Sequence, residues 1–191
     1  RSAVIQQSII HWICISMNPP GGKGLSMGAH DDYDWTSFVP AERAVIAFAR
    51  RDDHILLIHK KRGLGAGKIN GPGGRIEGDE SPAEAAIRET WEEVGLRLDR
   101  PREHATLSFA FVDGYLLRVY VFVTESFQGS AVETDEALPF WCPVDEIPYA
   151  RMWADDEYWL PEVLAGRYVE GWFRFDGDEM LSSRLDSRAL S

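Results

Sequence analysis

From Ala41 onward the chain alternates apolar and polar positions in short blocks broken by turn residues. Ala44–Ala49 and Ile55–His59 read as two strands of a hairpin turned at Arg51-Asp52-Asp53. Thr106–Val112 and Leu116–Thr124 form a second hairpin around Asp113-Gly114. Pro139–Val144 is a short strand, and Gly171–Phe175 with Glu179–Leu181 flank Asp176-Gly177 as a third hairpin. Two segments carry helical signals. Ser81-Pro82-Ala83-Glu84 places an N-cap, a first-turn proline and a capping-box glutamate ahead of a helix that Gly95 stops. Asp155–Leu164 is the second helix, closed by Gly166. Strands with two helices predict an α+β fold, a mixed sheet covered by helices.

The first helix has two chemically different sides. At about 100° per residue, Ala83, Ile87, Thr90, Trp91 and Val94 share one face, which is expected to face the core. Glu89, Glu92 and Glu93 share the other. Carboxylates that close repel by roughly 2–3 kcal/mol per pair at about 6 Å and an effective dielectric of about 20. A divalent cation removes that repulsion. Hard oxygen ligands make Mg²⁺ the first choice, with Mn²⁺ as the alternative. Gly71, Gly73 and Gly74, just upstream, let the backbone turn tightly and approach phosphate oxygens. On its own, a pair of glutamates on a helix is usually a solvated acidic face. The glycine loop and the fixed spacing change that weighing.

The stretch Gly74–Leu96, GRIEGDESPAEAAIRETWEEVGL, sets Gly74, Glu80, Arg88-Glu89, Glu92-Glu93 and Gly95 at fixed offsets. Seven such positions coincide by chance on the order of once in 10⁸ windows. The pattern resembles the Nudix box of hydrolases that cut nucleoside diphosphates linked to another group. The aliphatic position usual after Arg-Glu is Thr90 here. The resemblance continues in Lys60–Gly74 (KKRGLGAGKINGPGG), Val132–Glu136 (VETDE) and Met152–Trp159 (MWADDEYW). Together these blocks look like the mammalian-type, MutT-related 8-oxo-dGTP diphosphatases, from about Val45 to about Leu185.

That resemblance implies a Nudix α/β/α sandwich. It also implies attack of water on the β-phosphorus of an oxidised purine nucleoside triphosphate, giving a monophosphate and pyrophosphate. Gly74, Glu89, Glu92 and Glu93 match the family's metal-binding set, and Glu136 matches a further acidic residue near the metals. Glu89, Glu92 and Glu93 form the expected catalytic group, with Glu89 and Glu93 equal candidates for the water-activating base. Lys60 matches a lysine near the phosphates; a solvated charge in the run Lys60-Lys61-Arg62 is the plain alternative. Arg88 matches an arginine that orients a neighbouring glutamate. The implied base pocket comprises Asn70, Phe109, Phe111, Leu117, Trp153, Asp155 and Asp156. Trp153 offers a stacking face, and Asn70 both a donor and an acceptor. Adjacent aspartates share charge, so one can stay protonated and donate where the other accepts. Without the resemblance, core packing is the favoured account of Trp153, Phe109 and Phe111, and a helix N-terminal pair is the plain account of the aspartates. Leu64, Pro72 and Leu117 depart from the family's aromatics and methionine, which makes the expected wall less aromatic. Two other functions compete: a Nudix enzyme for ADP-ribose or unmodified nucleotides, and a non-catalytic nucleotide-binding module.

Composition narrows the setting. The chain has 191 residues, of which 45% are hydrophobic and 27% charged, as expected for a domain with a full core. A net charge of −11 argues against nucleic-acid polymers and anionic membranes as partners. A triphosphate would also be repelled unless metal neutralised the site. Cys14 and Cys142 lack the spacing of a disulfide framework, and the five histidines lack ligand spacing. Residues 1–38 read as an N-terminal extension with poor order, and residues 39–191 as the hydrolase domain. Within the extension, Ala3–Ile15 is apolar but too short and too polar for a membrane span. A start at Met17 or Met27 fits this reading. The expected protein is a cytoplasmic monomer acting on a small nucleotide.

Overall fold

A computed structural model describes residues 33–63 and 65–190. The expectations for Ala3–Ile15, the candidate starts at Met17 and Met27, Cys14 and the side chain of Leu64 lie outside the described residues. Residues 35–37 form a short 3₁₀ turn capped by the Asp34 side chain.

Among the described residues, eleven strands and two α-helices follow. Strand β1 (Glu42–Arg51) turns through Asp52, which takes a left-handed φ of 55°, into β2 (His54–Lys60). Next come β3 (Ile69–Asn70), β4 (Gly73–Arg75) and helix α1 (Pro82–Val94). Strands β5 (Arg97–Leu98), β6 (Arg102–Phe111), β7 (Leu116–Thr124), β8 (Phe127–Gln128) and β9 (Ala137–Pro143) lead to helix α2 (Asp156–Leu164). A long hairpin of β10 (Arg167–Asp176) and β11 (Glu179–Ala189) ends the fold.

The sheet runs β11-β10-β6-β7-β1 and is mixed: β10 lies parallel to β6, and β7 parallel to β1. The free edge of β1 is divided. Ala44–Ile46 pair with β4, and Arg50–Arg51 pair with β2. Strand β2 then carries β9 and β3. Side chains alternate across this sheet with period two. Val45, Ala47, Ala49, Leu56 and Ile58 pack on one side with Ala85, Ala86 and Val94 of α1. Phe48, Ile55 and Leu57 pack on the other side with Trp159, Leu160 and Val163 of α2. Both faces of β1 and β2 are therefore buried, which is why these strands read as near-continuous apolar runs. The fold is the expected α+β arrangement, an α/β/α sandwich about a mixed sheet. Among the described residues no helix is long and apolar enough to cross a membrane.

Helix α1 begins as the capping signals predict. Ser81 and Glu84 form the reciprocal box, and Gly95 closes the helix at φ 69°. Its buried face differs from the expectation. Trp91 is 56% exposed, whereas Glu93 is 2% exposed beside Thr90 and Val94. The helix is rotated so that its glutamate edge meets the glycines of β4. Without side chains there, the turn can lie directly on α1, and the carboxylate gains partners that make its burial tolerable.

The third hairpin is longer than its apolar core suggests. Strand β10 buries Val169, Gly171, Phe173 and Phe175 in strict alternation. Strand β11 is an edge strand with no fully buried residue, and its register slips at Arg174/Phe175. Only weak alternation marks it in the sequence.

Two substitutions test this packing. Gly73 has no room for a Cβ, which would run into the carbonyl oxygen of Val45. Gly73→Ala should therefore cost about 1–3 kcal/mol in urea denaturation. Trp91→Ser should cost less than about 1 kcal/mol, as for an exposed position. A loss of about 3–5 kcal/mol for Trp91→Ser, the size seen for core aromatics, would contradict the rotated helix face.

Candidate active site

The site starts at the turn between β3 and β4. The Pro72 carbonyl accepts from the Ala47 N–H at 2.8 Å, which fixes the turn to β1. The Gly73 N–H then donates to Glu93 Oε2 at 2.9 Å. Lys60, at the end of β2, donates from Nζ to Glu93 Oε1 at 2.8 Å and to the Gly73 carbonyl at 3.2 Å. The Lys60 and Glu93 side chains are 16% and 3% exposed, so this is a buried ion pair. Gly74 lies flat against Glu89: a Cβ at Gly74 would come within 2.6 Å of Glu89 Oε1 and closer still to its other carboxyl atoms.

Arg88 organises the next layer. Its Nη2 and Nε donate to the two oxygens of Glu80 at 2.5 and 3.0 Å. Nη1 donates to Glu89 Oε1 at 2.8 Å and to Glu92 Oε2 at 3.0 Å, while Nη2 also reaches the Arg75 carbonyl at 3.0 Å. This is the bidentate geometry to which a planar guanidinium is suited. The bond to Arg88 holds the Glu80 carboxyl below its ordinary range. Glu89 moves the other way: burial raises its pKa, against the pull of Arg88.

The acidic residues named from sequence thus divide. Glu89 and Glu93 converge under Gly73 and Gly74. Glu92 is 55% exposed and reaches the group only through Arg88. Glu136 is exposed, with its carbonyl accepting from the Lys61 N–H at 2.8 Å, next to the Lys60 end of β2. Among the described residues no three Asp, Glu, His or Cys side chains stand as a ready cation cage. The charges of Glu89 and Glu93 are balanced by Arg88 and Lys60 instead. In donor chemistry the set fits a hard divalent cation: carboxylate oxygens packed on glycine backbone.

The residues expected to form a base pocket gather on the α2 side. Gly65, at φ 80°, sits where a Cβ would lie 2.8 Å from Asn70 Nδ2 and 3.1 Å from Trp153 Nε1. Asn70 and Trp153 therefore face each other across the loop that follows Lys60. Trp153 meets Phe175 edge-on, at 6.1 Å and 89°. Phe175 is a hub: its ring lies 5.7 Å from Phe111 and 6.2 Å from Phe109. Leu117 pairs with Phe109 across β6 and β7. Phe109 and Leu117 belong to the buried core. Two clefts, of about 350 and 310 Å³, lie elsewhere, on Arg102, Tyr168 and Arg188 and on His59, Phe140 and Arg151.

Asp155 and Asp156 are 3% and 5% exposed. This is deeper than a helix N-terminal surface pair. Asp155 accepts from Trp159 Nε1 at 2.8 Å, and Asp156 from the Trp153 N–H at 2.9 Å. Burial raises both carboxyls above the ordinary aspartate range, and the charge of Asp155 adds to the effect on Asp156.

Two neighbours of these residues carry little signal in the sequence. Phe175 occupies an inward position of β10 and was readable as such from the strand's alternation. Lys68 places Nζ 4.7 Å from the Trp153 ring centroid and 3.1 Å from Asp178. Its only sequence signal is its place two residues before Asn70.

With this geometry, the comparisons with known proteins fall into place. The chain matches the NUDIX domain over residues 40–163 and belongs to that family, a family of hydrolases that generally work with a divalent metal. Over 134 residues it is 40% identical to the oxidized purine nucleoside triphosphate hydrolase of Danio rerio, covering 69% of this chain and 86% of that protein. It is equally 40% identical, over 133 residues, to the mouse protein of the same name, covering 69% and 85% of the two chains. The crystal structure of a MutT protein from Bacillus halodurans superposes with a TM-score of 0.69 at 29% identity, over 76% of this chain and 97% of that one.

The aspartate pair yields a test. A carboxyl with a raised pKa keeps its proton in the folded state while the unfolded chain releases it. Its contribution to stability therefore falls as pH rises from the ordinary 3.8 through about 6 for Asp155. Asp155→Asn should gain on the wild type across that interval, by roughly 1 kcal/mol per pH unit. Urea denaturation between pH 4 and 7 measures the gap. A gap that stays constant with pH would contradict the raised pKa.

Proposed function

We propose that this protein hydrolyses oxidised purine nucleoside triphosphates, 8-oxo-dGTP among them, to the monophosphate and pyrophosphate, with Mg²⁺ as the working cation. The zebrafish and mouse relatives carry that substrate class in their names. The observation that carries the proposal is the convergence of Asn70, Trp153 and Asp156 at one end of the loop after Lys60, with Glu89 and Glu93 at the other.

Glu89, Glu92, Glu93, the Gly74 carbonyl and Glu136 would hold the cation. When bound, it supplies charge neutralisation at the phosphate oxygens, so that the developing negative charge is spread. The protein's own residues do the rest. The Gly71–Gly74 backbone gives phosphate oxygens close approach. Lys60 places a positive charge at the same point, shared between Glu93 and the Gly73 carbonyl. Water attacks the β-phosphorus, the bond from that phosphorus to the bridging oxygen breaks, and the monophosphate leaves with that oxygen. A carboxylate takes the proton. Both Glu93 oxygens are engaged by Lys60 and Gly73, whereas Glu89 is bonded to Arg88 through Oε1 and leaves Oε2 toward Gly74. Glu89 is the better-placed base.

On the base side, Trp153 stacks on the purine and Asn70 reads its edge through one donor and one acceptor. The buried aspartates supply an acceptor from an ionised carboxylate and a donor from a protonated one. Guanine and its 8-oxo form differ at C8=O and N7–H, where an acceptor becomes a donor. A pocket that leaves buried polar groups unpaired with the wrong base discriminates strongly.

A nucleotide panel with pyrophosphate detection in Mg²⁺ tests the proposal. The kcat/KM for 8-oxo-dGTP should exceed that for dGTP by at least about tenfold, the worth of one well-placed polar contact. Equal values would refute the base assignment and leave the hydrolase chemistry standing. Glu93→Gln should lower kcat for either nucleotide by about 10²–10³, the usual size of losing one electrostatic stabiliser. Unchanged kcat at saturating Mg²⁺ would remove Glu93 from the machinery.

A further inference from the structure

Strand β11 ends the sheet and is paired with β10 on one side only. Among the described residues, no strand lies beside its outer backbone N–H and C=O groups. Such an edge templates pairing with another strand unless proline, lysine, a bulge or a very short run blunts it. Little blunts it here. Glu179–Ala189 is 11 residues long and contains no proline, glycine or lysine. The one irregularity lies at Arg174/Phe175; from Arg174–Ser182 to Arg167–Ala189 the register is continuous. Ser182–Ala189 is therefore a regular, open edge.

Charge singles out what fits it. The chain carries −11 overall, yet β11 balances Glu179 and Asp186 against Arg184 and Arg188. Two copies meeting at β11 bring no local excess of charge together. Antiparallel pairing about a two-fold at Leu185 sets Arg184 opposite Asp186 of the second copy, and Asp186 opposite its Arg184. Within one copy these side chains share a face, with Arg184 Nη2 donating to Asp186 at 2.8 Å. Pairing thus closes a ring of four alternating charges. The Trp172 ring, 4.8 Å from the Arg184 guanidinium, holds that face in place. On the other face Leu185, half-buried against the core, meets its own copy. Ser182 Oγ, which has no hydrogen-bond partner among the described residues, stands opposite Arg188 of the second copy.

The charges also select the register. An axis at Arg184 sets that arginine against itself. An axis at Asp186 opposes two aspartates and sets Arg184 against Arg188. Like charges directly opposite are unfavourable. An axis at Ser183 makes no Arg–Asp pair, and one at Ser187 pairs only Leu185–Ala189 within the strand. Leu185 alone combines a long overlap with opposite charges.

We propose that β11 is a self-association surface, through which two copies of this chain pair antiparallel about Leu185 and join their sheets into one. The pairing is independent of the nucleotide chemistry, and it makes the protein a homodimer where the sequence suggests a monomer. Because the axis is normal to the sheet, both copies carry α2 on the same face of the joined sheet.

Sedimentation velocity of the full chain, from micromolar to several hundred micromolar, tests this. The mass should rise from one chain to two and stop there, as a closed two-fold requires. Arg184→Asp and Asp186→Arg each place like charges opposite one another on both sides of the axis. Each should raise the dissociation constant by about tenfold or more. The double variant restores opposite charges and should return to within about threefold of the wild type. Amide hydrogen exchange of the wild type needs no variant: the outward amides of Ser182–Ala189 should exchange about tenfold more slowly in the concentrated sample. A chain that stays single throughout overturns the proposal. So does association that neither reversal weakens, a double variant no tighter than the singles, or a dimer that leaves β11 exchange unchanged.

Discussion

The structure turns on one buried carboxylate. Glu93 lies at 2% exposure, with Lys60 Nζ on one oxygen and the Gly73 N–H on the other. A lone charge at that depth would be expelled or neutralised; paired and hydrogen-bonded on both oxygens, it is retained. Through it the last turn of α1 is joined to the end of β2 and to the glycine turn of β4. Removing one partner of such a pair costs about 3–5 kcal/mol, so the contact is a structural tie as well as a charge placed at the site. The glycines follow from it. Only a backbone without Cβ atoms can lie between β1 and the glutamates, as the blocked spaces at Gly73 and Gly74 show.

From that tie the site extends in two directions along one loop. At Lys60 the loop meets the carboxylates and the glycine turn. At Lys68 and Asn70 it meets Trp153, whose N–H donates to Asp156 on the α2 side of the sheet. Phosphate chemistry and base reading, as proposed, are thus carried by opposite ends of a single hydrogen-bonded segment, closed by Gly67 N–H to Lys60 carbonyl at 2.8 Å. The mixed sheet makes this arrangement reachable. The edge of β1 is divided between β4, which carries the glycine turn, and β2, from whose end the loop starts.

Much of this was legible in the sequence because it rests on local chemistry. Capping box, stop glycine and the spacing of the acidic motif are fixed by residues a few positions apart, and the strands of the first two hairpins are short, largely apolar runs around polar turns. What was misread depends on distant partners. Helical periodicity alone places Trp91 in the core; the packing of α1 on glycines 73 and 74 puts Glu93 there instead. Strand β11 was seen only at its first three residues, because an edge strand with polar side chains has no buried face to announce it. Lys68 is silent in the sequence for a related reason. Its partners, Trp153 and Asp178, are far along the chain, and no local pattern distinguishes it from a solvated lysine.

The central claim is that Glu89 and Glu93, held under the glycine turn, form the protein's divalent-cation site. Electron paramagnetic resonance of Mn²⁺ titrated with the protein tests this without reference to any substrate. The account predicts that the wild type depletes the free Mn²⁺ signal, and that Glu89→Gln and Glu93→Gln each weaken binding by about tenfold or more, the scale of losing a ligand or its support. Undiminished Mn²⁺ binding in both variants, each shown to be folded, would contradict it.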